Sequence, residues 1–236
     1  MAKKRGSDRY AIISDLQVPY HHPLAFEFVK QVVKEFKIQK DNILNAGDEV
    51  DQYWGGAWAK DIEASHTCLQ EIEASKEELR RWYKQWPKMR IAQSNHGDRW
   101  LRKAMAAEIP SQMIRKYQDI MEMPEGWEHK KHWRIEGSKK PFIVEHLDDY
   151  GTMLPAEKAA MHNGISTCGG HHHCKLQVTH FKTNYLELWS AVAGSLIDFE
   201  SHAYKYARKA ARKPKLGMLV VLDGGTMPIP VPFESL

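Results

Sequence analysis

The stretch Tyr10-Ala-Ile-Ile-Ser14-Asp15-Leu16-Gln17 decides the fold. An apolar, β-branched run this short reads as a buried strand, and this one delivers a carboxylate and an amide at its C-terminal end. The same grammar recurs along the chain. Asn42-Ile-Leu-Asn-Ala46 leads into Gly47-Asp48-Glu-Val-Asp51, and Arg90-Ile-Ala-Gln-Ser94 into Asn95-His96-Gly-Asp98. Pro141-Phe-Ile-Val-Glu145 runs into His146, and Ile165-Ser-Thr-Cys168 into Gly170-His171-His172-His173. Parallel strands gather such endings on one rim of a sheet, where α/β proteins place their sites. Hard oxygen donors mixed with imidazoles suit divalent metals of the Mn, Fe or Zn kind.

Outward from these endings, strand and helix alternate. Phe26, Val29, Val33 and Phe36 give residues 23–37 a helical face. Ile62, Leu69, Ile72, Leu79, Tyr83 and Trp86 predict one long amphipathic helix over 60–86, stopped by Pro87. A further helix is expected from Arg99 to Glu108. Such βα units predict a mainly parallel sheet flanked by helices. The second half differs. Residues 131–147 and 176–190 read as strands, 217–233 as a hairpin turning at Asp223-Gly-Gly, and 155–162 as a helix ending at Asn163-Gly164. The expectation is one domain over 1–236, with a basic segment at about 199–215 within it.

Composition sets wide limits. The 236 residues are 42% apolar and 27% charged, ample for a core. Three cysteines, Cys68, Cys168 and Cys174, argue against a disulfide framework and for a reducing cytoplasm. No stretch is long enough to span a bilayer, and the basic start lacks the apolar core of a secretory signal. A net charge of +4 permits an anionic partner without demanding one.

Each cluster has a plain reading beside its chemical one. If Asp48 bridges two cations, each of its oxygens serves one, with Asp51 near enough to support it; otherwise the segment is a solvated acidic turn. Asp15 offers a carboxylate and Gln17 a neutral carbonyl. Asn95 presents an amide oxygen, and His96 beside it an imidazole suited to general acid chemistry; the alternative is a turn with a surface histidine. His171 and His173, two apart in an extended segment, point the same way, with His172 turned aside. A structural zinc site on Cys168, Cys174 and two histidines is the rival there, although such sites normally use two separated ligand pairs.

In this order the clusters resemble the pattern of the calcineurin-like metallophosphoesterase superfamily: Asp-x-His, Gly-Asp-x-x-Asp, Gly-Asn-His-Asp/Glu, a lone His, then Gly-His-x-His. The segments Ile13-Ser-Asp-Leu-Gln-Val-Pro-Tyr-His-His and Asn95-His-Gly-Asp-Arg are most similar to the compact bacteriophage and bacterial members. The resemblance implies a four-layer αββα sandwich of two mixed sheets and two divalent ions, manganese first, with Fe, Zn, Ni or Mg as alternatives. Carried over by position, Asp15, Gln17, Asp48 and His173 would hold one ion, and Asp48, Asn95, His146 and His171 the other. His162 competes with His146, but its place at a helix C-terminus has its own dipole explanation. His96 would be the catalytic histidine and Asp51 its orienting partner. The implied chemistry is attack on phosphorus by a hydroxide bridging the metals, with His96 protonating the leaving oxygen. Three departures stand out: Gln17 for a histidine, Ser94 for a glycine, and Gly97 for an acid, with Asp98 one position later.

The substrate reading is finer. The superfamily's protein Ser/Thr phosphatases resemble Gly-Asp-x-x-Asp-Arg-Gly, whereas here Asp51 is followed by Gln52-Tyr-Trp, so the resemblance to that branch is weaker. Arg99 is placed as a phosphate clamp, its guanidinium matching two phosphoryl oxygens, or else as a solvated helix-start residue. Residues 205–215 hold six cations and no acid, and a helix there would set Arg208 and Arg212 one turn apart as phosphate contacts. Tyr204 and Tyr206 would add stacking surface. These features favour a phosphodiesterase or nuclease acting on DNA or RNA, resembling the superfamily's DNA-repair nucleases. The alternatives are a phosphatase or pyrophosphatase for a nucleotide or other small phosphoester, and a nucleic-acid-binding module whose catalysis has weakened through Gln17.

Overall fold

The computed structural model describes residues 8–57, 60, 64–151, 153–207 and 211–235. In chain order the strands are β1 (Tyr10–Ile13), β2 (Ile43–Asn45), β3 (Met89–Ala92), β4 (Trp127–Lys130), β5 (His132–Ile135), β6 (Phe142–Glu145), β7 (Thr167–Gly169), β8 (Leu176–Lys182), β9 (Glu187–Ala193), β10 (Gly217–Leu222) and β11 (Met227–Pro232). The helices are α1 (Ala25–Glu35), α2 (Cys68–Gln85), α3 (Arg99–Ala106), α4 (Tyr117–Ile120) and α5 (Pro155–Asn163).

The strands form two mixed sheets, in the orders β11-β10-β1-β2-β3-β4 and β5-β6-β7-β9-β8. In the first, β1 to β4 run parallel and β10 and β11 close one edge antiparallel. In the second, β6, β7 and β9 are parallel and the outer strands antiparallel. Side-chain alternation decides what each face touches. Tyr10, Ile12, Leu44, Leu219 and Val221 turn inward and meet Trp133, Phe142, Val144, Trp189 and Ala191 of the second sheet. Their neighbours in sequence, Ala11, Ile13, Ile43, Met218 and Val220, turn outward onto α1 and α2. Phe26, Val29 and Val32 of α1 and Leu79 and Trp82 of α2 cover that face. Ala156 and Ala159 of α5 pack with Val192 on the far side of the second sheet. The result is the four-layer αββα sandwich.

Element boundaries correct the sequence reading in several places. The helix expected over 60–86 starts only at Cys68, because Thr67 accepts the Gln70 N–H and the Gln70 side chain returns to the Thr67 N–H. The strands expected over 131–147 are the antiparallel pair β5 and β6, and those over 176–190 are the β8–β9 hairpin, which runs on to Ala193. Strand β4 was not anticipated, since Trp-Glu-His-Lys has no β-branched residue. The expected basic helix is not an α-helix where described: His202–Ala207 is a 3-10 turn and 211–215 is irregular. The hairpin at Asp223 forms, and Gly164 ends α5 in the left-handed conformation. No helix among the described residues is long and apolar enough to cross a membrane.

Leu79 of α2 is fully buried in the core between the helices and the first sheet. Leu79→Ala is expected to lower unfolding free energy by about 2–5 kcal/mol through lost burial and a residual cavity, as read from urea denaturation.

Candidate metal centre

All five polar clusters lie just past the C-terminal ends of strands. Asp15 and Gln17 follow β1, Asp48 follows β2, Asn95 and His96 follow β3, His146 follows β6, and His171 and His173 follow β7. Both sheets therefore contribute. Four of these residues, Asp15, Gln17, Asp48 and His171, have left-handed backbone, with φ of 51°, 51°, 57° and 68°. Non-glycine residues rarely take this conformation, and it turns their side chains sharply off the strand direction.

Their ligand atoms form two groups that share Asp48: Asp48, His146 and His171 in one, Asp15, Asp48 and His173 in the other, each with its atoms within 4.8 Å of one another. His146 Nδ1 donates to the Ala46 carbonyl at 2.8 Å. That bond fixes the tautomer and turns Nε2 toward Asn95 Oδ1 at 2.9 Å and Asp48 Oδ2 at 3.2 Å. His171 Nδ1 lies 3.1 Å from the same Asn95 oxygen. In the second group His173 Nε2 is 2.9 Å from Asp15 Oδ1. Gln17 Nε2 lies 3.1 Å from His173 Nε2 and 3.3 Å from Asp48 Oδ2, while Gln17 Oε1 is buried without a partner.

These acceptors crowd together out of water, and their acidities record it. Burial would raise Asp48 and Asp15, but the imidazoles of His146 and His173 hold them below the usual carboxylate range. Burial would lower His146, yet Asp48 pushes it up to about 10; His173 is raised in the same way by Asp15. Burial lowers His171. A lone pair of His146 facing two oxygens requires a proton or a cation between them. The donor set thus fits divalent metal ions.

The surrounding chain is built to hold this geometry. Ser94 stands where a glycine was expected, and the turn still forms. Its Oγ accepts the Asp48 N–H at 3.0 Å. The His96 N–H reaches Asp48 Oδ1 at 3.3 Å. Beneath the loop, Glu49 accepts from Tyr117 Oη at 2.6 Å and lies 2.9 Å from His129 Nε2. Gly47, at φ 105°, passes so close to His146 that a Cβ would lie 2.6 Å from Nδ1. In the sequence Ser94 stood out only as a departure from the family glycine and Gly47 only as part of its motif; nothing there tied Tyr117 and His129 to Glu49.

Beside the ligand groups stand His96, Asp51 and Arg99. Arg99 Nη1 donates to Asp51 Oδ1 at 3.1 Å and to the Asp51 carbonyl at 2.7 Å, and Nη2 meets His96 Nε2. His96 Nδ1 faces Asp51 Oδ2 at 3.9 Å, beyond hydrogen-bond reach, and has no partner. Burial lowers His96 to about 3, with Arg99 adding to the effect. Burial raises Asp51 to about 7 against the pull of Arg99. The expected His96–Asp51 pair is therefore bridged by Arg99 in this structure.

A cleft of about 580 Å³ opens over the site, lined by His96, Arg99, His171, Tyr204 and Arg212 among others. Arg212 is exposed on its wall, and Arg208 lies outside the described residues. Tyr204 corrects an expectation. At 2% exposure, packed with Tyr20, Ile197 and Ala203, it is no stacking platform; the side chain of Tyr206 is outside the described set. His162 is exposed on α5 beside Tyr150, away from the ligand groups. Cys168 is a core thiol bonded to the Ile143 carbonyl, not a metal ligand. His172 turns its Nε2 into a buried, unpartnered position.

No protein-family model and no curated protein matches the sequence. Among solved structures, the chain is similar to an archaeal phosphodiesterase at 10% identity, over 95% of this chain and 99% of that one, with a TM-score of 0.49. It is similar to YfcE, a phosphoesterase from E. coli, at 11% identity over 94% and 99%, TM-score 0.45. Vps29 from Cryptosporidium parvum is similar at 12% identity over 95% and 86%, TM-score 0.47. Likenesses this weak carry no weight in reading the site, which stands on its own geometry.

Gly170 is the tightest point of that geometry, since a Cβ there would collide with Ser14 Oγ and Asp15 Oδ2. Gly170→Ala is expected to displace Asp15 and His171 and to reduce Mn(II) binding at least tenfold in calorimetric titration, with a lowered Tm.

Proposed function

We propose that this chain is a metal-dependent phosphoester hydrolase of the calcineurin-like type, acting on phosphodiester bonds of DNA or RNA. The observation that carries the reading is the pair of ligand groups sharing buried Asp48, set directly beside an arginine and a histidine. Asp15, Gln17, Asp48 and His173 would hold one divalent ion, and Asp48, Asn95, His146 and His171 the other. Their mix of oxygen and imidazole donors suits manganese among the common metals. Such ions, when bound, supply charge for phosphoryl oxygens and lower the pKa of water.

The chain's own groups do the positioning and the proton work. Arg99 offers a planar fork matched to two phosphoryl oxygens. An entering phosphoryl group competes with His96 and Asp51 for that fork. Drawing Arg99 away frees His96 Nε2 to face the ester oxygen, and an anionic neighbour in place of a cation favours its protonation. His96 then serves as general acid to the leaving group, with Asp51 as the nearest carboxylate on its Nδ1 side. The cleft is larger than one phosphate requires and places Arg212 on its wall, which favours an extended, anionic substrate.

Hydrolysis of bis-p-nitrophenyl phosphate and of single- and double-stranded DNA and RNA, with Mn(II) and low salt, tests the reading. His96→Ala is expected to lower kcat by about 10²–10⁴-fold. Failure to hydrolyse any phosphoester with Mn, Mg, Zn or Ni present overturns it. Faster turnover of monoesters or nucleotides would instead select the small-phosphoester alternative. Arg212→Ala is expected to weaken nucleic-acid binding and flatten its salt dependence by about 0.7–0.9 in log–log slope, while sparing the small diester.

A further inference from the structure

Both ligand groups set an imidazole nitrogen against a carboxylate, His146 Nε2 against Asp48 and His173 Nε2 against Asp15, but only the second also has a side-chain amide N–H directed at the shared Asp48. In the group of Asp48, Asn95, His146 and His171, the Ala46 carbonyl takes the His146 Nδ1–H, so Nε2 turns a lone pair toward two oxygens. A cation or a proton is needed to join them. The other group contains Gln17, which brings hydrogens of its own. Its Nε2 sits 3.3 Å from Asp48 Oδ2 and 3.1 Å from His173 Nε2, inside the space where Asp15, Asp48 and His173 converge. Its Oε1 points the other way, buried and unpartnered.

An amide is a donor at one end and an acceptor at the other. The reverse orientation would set Oε1 against the Asp48 carboxylate, so the NH2 end is the one that faces inward. To become a ligand the amide must turn over and give up its hydrogen bond to Asp48 Oδ2. Its oxygen is then a neutral donor, poorer than an imidazole for Mn, Fe, Zn or Ni. Gln17 therefore competes with the ion it would help to bind.

We propose that the two positions are unequal: the Asp48–Asn95–His146–His171 position retains its divalent ion, and the Asp15–Gln17–Asp48–His173 position exchanges it with solution. This rests on the dinuclear reading above. The second ion then follows the free divalent-metal concentration, and Gln17 sets the concentration at which the centre is complete.

The test is Mn(II) titration of the chelator-stripped full chain by calorimetry, with bound Mn counted by elemental analysis after desalting. The wild-type chain is expected to retain one Mn per chain and to take a second at a concentration roughly tenfold or more higher, the scale on which supporting ligands shift metal affinity. Gln17→His is expected to retain two. Gln17→Met, of similar size but unable to ligate through oxygen, is expected to retain one and lose the weaker association. Two ions of equal affinity in the wild-type chain overturn the inequality and leave the phosphoester-hydrolase reading standing. One retained Mn in a folded Gln17→His chain overturns the role given to Gln17. No Mn bound at any concentration overturns both readings. If Gln17→His does not fold, the wild-type titration still decides.

Discussion

Asp48 is the constraint on which the rest of the structure depends. Its carboxylate is 1% exposed, on left-handed backbone, and shared by both ligand groups. A buried carboxylate is tolerable only when paired and hydrogen-bonded. Here the compensation comes from three directions at once: the His146 ring, the Gln17 amide and the His96 N–H. Each donor is carried by a different strand end, so satisfying one charge fixes the relative placement of β1, β2, β3 and β6. Charge compensation and fold specification are one event at this point.

The same requirement explains why the site is polar yet shielded. Asp15, Gln17, Asp48 and His146 are all essentially inaccessible, while the cleft over them is bounded by His96, Arg99 and the exposed Arg212. Low dielectric strengthens every charge contact inside. The guanidinium of Arg99, held by Asp51, keeps a cation at the mouth of an anionic centre. An anion entering the cleft would meet positive charge first and the carboxylates only behind it.

Much of this was legible in the sequence because two periodicities report directly on packing. Odd and even residues of Tyr10–Ile13 divide between the inter-sheet core and the helices, as an alternating strand buried on both faces must. The polar residues after each run then fall on one rim. Strand β4 was hidden because only Trp127 of its four residues is buried, leaving no apolar pattern. The start of α2 was overextended because apolar spacing continues upstream, while the deciding signal, Thr67 with Gln70, is a local cap. Tyr204 was misplaced because its neighbours are cations, and composition says nothing of which way one side chain turns. The Glu49 brace joins residues 68 and 80 positions apart, a pairing that only the folded sheet creates. At Gln17 the sequence marked the departure, but the direction in which its amide faces is a property of the packed site.

One connection described above has a mechanical meaning. Between β4, at the edge of the first sheet, and β5, at the edge of the second, stands the single residue Lys131. A joint this short has no slack. Sliding one sheet across the other would tear the β3–β4 or β5–β6 ladder within a residue of the crossing. The centre, drawn from both sheets, therefore sits in a frame that cannot breathe by hinge or shear. Entry to the cleft over the centre is then left to motion of the side chains that line it, Arg99 among them, rather than to domain opening.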